Sequence, residues 1–293
     1  MKDIPIPIPV VVGPGSQPES PDGLDMSFME MPSGMHTYSA PRVPEPEEVA
    51  HLQQGLSLAQ RLLDTLREYR AGEPARLLDV TGLDQDNRDF IDQLLGEGEV
   101  SVQCLPPLNA RIQESVLAGV WRVRHLDTEG HLVRDTIEVG DVPSLVSEAA
   151  FVQAQDNVPL DGLEIPRNLY NAAPLLAELH EKLPAYRPGG EPHVINLSLL
   201  PHTEEDLAFL TQVLGIGPVV VLSRGYGNCR ISATGTRNLW WVQYFNSQET
   251  LILNTLEVSQ VPEVARAAPE DLADSSQRLE EILSIYREEN RDG

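Results

Sequence analysis

The chain has 293 residues, a length that predicts roughly two domains and a core that folds without disulfide or metal staples. Lys and Arg total 21 against 45 Asp and Glu, so the formal net charge at pH 7 is −24. Because nucleic acids and anionic membranes are bound through Lys and Arg, this charge argues against both and favours a neutral or basic protein partner. With 2 cysteines and no apolar run long enough for membrane insertion, we expect a soluble, cytoplasmic protein without a disulfide framework.

The N-terminal segment, residues 1–46, is rich in proline. It holds ten of the 24 prolines of the chain, and proline excludes helices and central strands. We therefore expect this segment to be extended and flexible. Residues 26–38 are richer in apolar side chains, and whether this part docks on the body of the protein or on a partner is open.

An internal repeat is the most informative pattern in the sequence. A shift of 119 residues aligns two segments without a gap over about fifty positions, of which about one in three is identical. The matches include Asn109-Ala110-Arg111-Ile112 with Asn228-Cys229-Arg230-Ile231, Trp121-Arg122-Val123 with Trp240-Trp241-Val242, Thr136-Ile137-Glu138-Val139 with Thr255-Leu256-Glu257-Val258, and, after a one-residue slip, Gly72-Glu73-Pro74 with Gly190-Glu191-Pro192. We therefore predict a tandem duplication, with copy one at 47–155, copy two at 156–268 and a C-terminal acidic helix at 269–293.

Each copy is expected to open with a helix, a short strand and a second helix. In copy one, apolar residues recur at helical spacing over 58–69. In copy two, Asn171 is a predicted helix cap, and Thr203-Glu204-Glu205-Asp206 resembles a capping box. Gly96 and Gly215 stand where helix C-caps are expected.

Four strand-like runs follow in each copy. They span 99–104, 110–117, 119–126 and 132–139, with equivalents 119 residues later. Val142-Pro143 and Val261-Pro262 then begin a short helical turn, and a last helix is predicted at about 270–288. The order α-β-α-β-β-β-β predicts an α+β fold with helices on one face of mostly antiparallel sheets. Two copies in one chain predict a pseudo-twofold pair.

No metal site or catalytic constellation is visible in the sequence. The 7 histidines all lie more than four residues apart, outside any Cys or carboxylate pattern with metal-ligand spacing. Pairs of helical acids such as Glu280 and Glu281 are most simply solvated faces in so acidic a chain. We therefore expect no metal, no cofactor and no enzymatic activity.

Cys229 lies in the glycine-rich segment Arg224-Gly225-Tyr226-Gly227-Asn228-Cys229-Arg230. A phosphate-binding loop opens onto a helix, whereas this segment precedes a predicted strand. Arg224 and Arg230 favour a thiolate, which makes Cys229 a candidate reactive thiol. Its alignment with Ala110 instead favours a small residue at the start of a strand, and no histidine lies nearby to act as a base.

The predicted strand at 239–245 carries the strongest aromatic signal. Alternate residues of a strand face opposite sides, and Trp240, Val242 and Tyr244 share one side. They match Trp121, Val123 and His125 of copy one, so we expect this side, which both copies keep, to be core. The other side holds Trp241 and Phe245, where copy one has an arginine and a leucine. Two explanations stay open: an interface between the copies, where arginine stacks on tryptophan, or a partner-binding anchor.

These segments resemble the C-terminal conserved region of hydrogenase expression/formation proteins of the HupH, HyaF and HoxQ type. The resemblance is carried by Gly225-Tyr226-Gly227-Asn228-Cys229-Arg230-Ile231, by Trp240-Trp241-Val242-Gln243-Tyr244-Phe245-Asn246-Ser247 and by Leu251-Ile252-Leu253-Asn254-Thr255-Leu256-Glu257-Val258. Gly34-Met35-His36-Thr37-Tyr38, followed by Pro41 and Pro44-Glu45, resembles another signature of that family. Copy one has Leu105-Pro106-Pro107-Leu108 in place of the glycine loop, so any loop-based role is assigned to copy two only.

The resemblance implies a cytoplasmic assembly chaperone for nickel–iron hydrogenase that binds the iron–sulfur small subunit before export. We expect the acidic surface to attract the paired arginines of its twin-arginine signal peptide, and the resemblance implies a thioredoxin-like hydrogenase accessory protein as a second partner. The alternatives are a thiol-dependent Fe–S or redox assembly factor that uses Cys229, and a structural adaptor that bridges other maturation proteins. The candidate partner-binding residues are Trp241, Phe245, Tyr226, Asn228, Arg230, Met35 and Tyr38.

Overall fold

The computed structural model describes residues 44–224 and 227–292. Predictions for residues 1–43, including Met35 and Tyr38, lie outside the described residues, as does Tyr226. In the described part the helices are α1 Pro46–Val49, α2 Gln53–Glu68, α3 Gln85–Leu95, α4 Ser144–Glu148, α5 Ala172–Ala185, α6 Glu204–Leu214 and α7 Pro269–Asp292. The strands are β1 Arg76–Asp79, β2 Val100–Cys104, β3 Ala110–Glu114, β4 Val120–Leu126, β5 Leu132–Val139, β6 His193–Asn196, β7 Val219–Ser223, β8 Asn228–Ala233, β9 Leu239–Phe245 and β10 Leu251–Val258.

One sheet of ten strands runs through both predicted copies, in the order β1-β5-β4-β3-β2-β7-β8-β9-β10-β6. Every pair of neighbouring strands is antiparallel, which confirms the α+β class and the predicted antiparallel character, although the strands form one continuous sheet. The two halves meet at the central β2–β7 pair. Outward from this pair the first half has the order β2, β3, β4, β5, β1, and the second half has the corresponding order β7, β8, β9, β10, β6. The descent of the halves from one duplicated domain, and the domain limits, stay predictions.

The two faces of the sheet are covered differently. On the face that we call outer, α2, α3 and α7 bury Val120, Ile137 and Val139 of the first half. On the same face, α5 and α6 bury Leu239 and Trp241 of the second half. Because strand residues alternate, the residues between these point to the opposite, inner face.

The inner face holds a core shared by both halves. Trp121 and Trp240 are buried there, as predicted, and each indole N–H donates to a backbone carbonyl, of Gly140 at 2.8 Å and of Gln260 at 3.2 Å. Phe151 packs edge-on against Trp240, with ring centroids 5.0 Å apart. Since the segment that carries Phe151 follows the first half, the halves share this core.

The predicted capping box of α6 is present, and it does more than cap that helix. One carboxylate oxygen of Asp206 accepts from the backbone N–H groups of Tyr170, Asn171 and Ala172, while the other accepts from Thr203. Asn171 is the N-cap residue of α5, as predicted, but its side chain does not cap the helix. Asp206 supplies that function from the next helix, which the pattern within one helix does not reveal.

Helix α7 was predicted as a separate C-terminal element, and its apolar side packs on the first half. Leu272, Leu279, Leu283 and Tyr286 join the core formed by α2 and α3. The ring of Tyr286 meets that of Phe90 edge-on, with centroids 6.0 Å apart. Helix α7 therefore covers the apolar sides of α2 and α3 in the first half.

Candidate functional site

A cleft of about 810 Å³ opens between the two halves at the inner side of the sheet. Ala75, directly before β1, and Val194 of β6 both line it, although β1 and β6 end the strand order on opposite sides. The sheet must therefore curve until its two edges approach one cleft. The matched segments of the repeat meet here, since Gly72-Glu73-Pro74 lies on one side and Gly190 and Pro192 on the other.

Carboxylates dominate the charge of this cleft. Of the residues that the structure describes, its lining includes Glu73, Asp141, Glu148, Glu257 and Glu263, against one cationic residue, Arg266. Arg266 is itself paired with Asp141 at 2.6 Å, so its charge is locally neutralised. The cleft therefore presents a negative field that suits a cationic ligand or a basic peptide segment.

Asp141 fixes the geometry of the cleft at the junction of the halves. Its carboxylate accepts from the Tyr69 hydroxyl at 2.8 Å and from Arg266 at 2.6 Å. Burial raises the pKa of Tyr69 to about 12, so the hydroxyl keeps the proton that it donates to Asp141. In the second half the Tyr186 hydroxyl accepts from the backbone N–H of Gln260 at 2.8 Å, at the corresponding place.

Glu257 accepts fewer hydrogen bonds in the cleft than its counterpart in the first half does. Its counterpart in the first half, Glu138, accepts from both the backbone N–H and the hydroxyl of Ser144, at 2.7 and 2.8 Å. Among the described residues, Glu257 accepts only from the hydroxyl of Thr255, at 3.0 Å. Burial raises the pKa of Glu257, and the Thr255 hydrogen bond offsets this only in part. A basic group in the cleft would stabilise its ionised form.

Trp241 has a cover that neither sequence explanation foresaw. It is 5% exposed, and its core neighbours all belong to the second half, on α5, α6 and the adjoining strands. Neither the first half nor a partner is needed to bury it, which corrects the expectation. A partner would find little of the Trp241 side chain, because α5 and α6 occupy the side on which it points.

The other described candidates share the outer face at the open end of β8 and β9. Asn228 lies directly opposite Phe245, and both are half-buried. Arg230 lies opposite Gln243 on the same face, and burial lowers the pKa of Arg230. The structure thus brings Phe245, Asn228 and Arg230 together with Trp241 on one face, and their role in partner binding stays a prediction.

Cys229 points to the inner core and is 1% exposed. Burial raises the pKa of its thiol to about 12, although a hydrogen bond with Tyr244 acts in the opposite direction. Cys104 is buried in the same core, and its thiol pKa is also raised to about 12 by burial. Reactive cysteines need an accessible thiolate, so this environment is that of a structural residue.

Within the described residues, no three His, Cys, Asp or Glu side chains are placed to hold a metal ion together. In the same part of the chain, every helix is too short or too polar to cross a bilayer. The acidic cleft was missed by the sequence analysis, which treated carboxylates as solvated faces. The paired Gly-Glu-Pro segments were its one available signal, since a motif kept in both halves marks a shared place in the fold.

Comparison with known proteins identifies the family. The profile described as "HupH hydrogenase expression protein, C-terminal conserved region" matches residues 52–157 and 169–286. The chain is 45% identical over 283 residues to the hydrogenase expression/formation protein HoxQ of Cupriavidus necator, which covers 97% of this chain and 98% of that protein.

Two further relatives and one solved structure extend the comparison. HupQ of Azotobacter chroococcum is 47% identical, with 94% of this chain and 96% of that protein covered. The hydrogenase-1 operon protein HyaF of Escherichia coli is 37% identical, with 95% and 96% covered. A solved HupH from Thiobacillus denitrificans aligns with 37% of this chain and 91% of its own, at 34% identity and a TM-score of 0.34. The chain belongs to the HupH, HoxQ and HyaF family of hydrogenase expression/formation proteins.

Proposed function

We propose that this protein is an accessory chaperone for hydrogenase maturation that holds the iron–sulfur small subunit before its export. The observation that carries the proposal is the match to HoxQ of Cupriavidus necator, at 45% identity over 97% of the chain. The relatives are hydrogenase expression/formation and hydrogenase operon proteins, which supports a role in hydrogenase expression or formation. The assignment of the small subunit as client is the finer step that needs an experiment.

We assign client capture to the acidic cleft between the halves. A basic, extended segment such as a signal peptide with paired arginines complements the carboxylates of Glu73, Glu148, Glu257 and Glu263. The cleft is also flanked by β1 and β6, which end the sheet, so each offers a backbone edge to an added strand. Charge attraction and backbone pairing do not require a folded client, so both features suit a client segment before it folds.

The two halves contribute unequally to this role. We propose that they arose by duplication of one domain, because their strand orders correspond and the family profile matches both segments. Glu138 and Glu257 then diverged, the first retaining a helix-capping role and the second facing the cleft. A thioredoxin-like accessory protein remains a proposed second partner, for which the face of Phe245, Asn228 and Arg230 is the candidate surface.

The redox alternative is disfavoured by the burial and raised thiol pKa of Cys229. Fe–S transfer also needs several thiolates for each cluster, and both cysteines of the chain lie in the inner core. A structural adaptor that bridges other maturation proteins remains the second candidate function. It differs from the chaperone in one respect, because an adaptor does not contact the small subunit directly.

The test is complementation of a hydrogenase-producing host that lacks its own copy of the gene. The cleft variant Glu148→Gln/Glu263→Gln removes two exposed charges, and Glu129→Gln/Glu164→Gln removes two exposed charges elsewhere. We expect the cleft variant to lower hydrogenase activity and recovery of the small subunit with the tagged protein, and the control to leave both unchanged. Full activity without any co-purified small subunit would favour the adaptor.

A further inference from the structure

The middle of the outer face carries a groove of about 610 Å³ in the first half. Its wall is formed by α3, through Asp92 and Leu95, and its floor by β2, β3 and β4. The outer-face positions of β2 and β3 are Ser101, Gln103, Arg111 and Gln113, so this floor is polar and includes no carboxylate. Glu97 stands exposed at the rim.

Two arginines face each other across the floor. Arg111 of β3 is the direct neighbour of Arg124 on β4, and both are largely exposed. Like charges directly opposite one another destabilise a sheet. Within the described part of the chain Arg111 has no hydrogen bond or ion pair, while Arg124 reaches Asp92 at 3.3 Å. The pair therefore keeps a cationic charge that the protein does not neutralise.

A third arginine lies beneath them with one nitrogen turned to the groove. Arg122 makes two hydrogen bonds to Asp135, at 2.6 and 2.7 Å, and its side chain is 6% exposed. Its remaining Nη1 lies 3.1 Å from Asp92 but without hydrogen-bond geometry, and it is buried. Asp92 is thus shared between two arginines, which leaves the groove short of anionic partners.

The fold itself does not require this groove. The corresponding place of the second half is lined by Trp241, Val220, Ser232 and Arg230, the counterpart of Arg111, and the remaining space is about 40 Å³. In the second half the Trp241 side chain fills the volume that is open above Arg122 in the first half. Arg230 lies opposite Gln243, so the pair of facing arginines belongs to the first half and has no equivalent at the corresponding place of the second, in a chain whose net charge is −24.

We propose that this groove binds an extended acidic segment of a partner protein, with its carboxylates on Arg111 and Arg124. Charge complementarity selects the partner, because this floor is cationic within a strongly acidic protein. Arg111 and Arg124 lie on neighbouring strands, where directly opposite side chains are about 5 Å apart, so one carboxylate can bridge them. The groove of about 610 Å³ is larger than one small anion needs, so the space beyond the arginine pair suits an extended segment. The inference does not depend on the client proposed for the cleft.

Fluorescence anisotropy of the full chain tests the proposal, with a labelled peptide of alternating Glu and Ser as the probe. The matched peptide of alternating Gln and Ser should bind at least about tenfold more weakly. Arg111→Gln should weaken binding of the Glu peptide about tenfold, a step of roughly 1.4 kcal/mol. Arg61→Gln, an exposed arginine on α2, is the control and should leave binding unchanged.

Thermal unfolding of Arg111→Gln separates binding from folding. Because the variant removes a like-charged neighbour, its melting temperature should equal or exceed that of the native protein. Equal affinity for the two peptides, or an Arg111→Gln variant that binds as the native protein does, would overturn the proposal. So would inorganic phosphate that binds as tightly as the Glu peptide, since the groove would then be a single-anion site.

Discussion

Exchanging Trp241 for arginine is predicted to destabilise the second half, and the loss is predicted to be smaller when Asn254 becomes aspartate at the same time. In the first half the corresponding positions hold Arg122 and Asp135, joined by two hydrogen bonds of 2.6 and 2.7 Å. In the second half the Trp241 indole N–H donates to the Asn254 side-chain oxygen instead. Trp241 and Asn254 are buried, at 5% and 2% exposure, so both substitutions change side chains inside the core.

The magnitude follows from this burial. Loss of a buried tryptophan costs about 3–5 kcal/mol, and a buried charge without a partner costs a similar amount. Since a long arginine reaches partly toward solvent, we expect Trp241→Arg to lower the free energy of unfolding by at least about 4 kcal/mol. For a chain of this size that corresponds to a fall in melting temperature of roughly 10 °C. The coupling regained in Trp241→Arg/Asn254→Asp should be about 2–3 kcal/mol.

Urea unfolding of the native protein, both single variants and the double variant, followed by circular dichroism, measures the cycle. We expect the double variant to be more stable than the sum of the two single losses predicts. Strictly additive losses would refute the view that the two halves place these positions equivalently. Native stability of Trp241→Arg alone would show that Trp241 is not part of the core.

Three smaller predictions test individual groups. Burial, reinforced by Glu99 and Asp271, raises the pKa of Glu114 to about 7 from its ordinary 4.5, so the folded state binds the proton more tightly. Stability should then fall by up to about 3 kcal/mol as the pH rises from 4.5 through 7, and Glu114→Gln should abolish this fall in melting curves. Asp206→Asn should lower the unfolding free energy by about 2–4 kcal/mol at pH 7, because backbone N–H groups hold the pKa of Asp206 low despite its burial, and the difference should shrink in acid. Cys229→Ser should leave hydrogenase maturation near normal, because Cys229 is buried. Loss of hydrogenase activity in a host that carries a correctly folded Cys229→Ser variant would instead support the redox alternative.

The repeat allowed the strands to be predicted closely. Because two aligned segments must form the same element, each strand boundary is predicted from two sequences at once. The predicted run at 132–139 coincides with β5, and the predicted capping box at Thr203 is confirmed. Alternation along β9 also separated the face of Trp240 from that of Trp241 correctly. Local rules suffice for these features because they depend on neighbours within a few residues.

The cover of each face and the cleft could not be predicted in the same way. Trp241 is buried by helices that pack from outside the sheet, and strand alternation states which side is covered but not by what. The cleft depends on the curvature of ten strands, which accumulates from small twists along the whole sheet. Glu73 and Glu263 are 190 residues apart in the chain, and their common lining of one cleft follows from that curvature alone.

The central claim is that the acidic cleft captures a basic segment of the hydrogenase small subunit. The most direct measurement is the association rate of the purified protein with the small-subunit precursor, by stopped-flow fluorescence, at increasing ionic strength. We expect the rate to fall as salt screens charges beyond about 8 Å, and expect Glu148→Gln/Glu263→Gln to slow it at low salt while Glu129→Gln/Glu164→Gln does not. A rate that is indifferent to salt and equal in the cleft variant and its control would contradict the account.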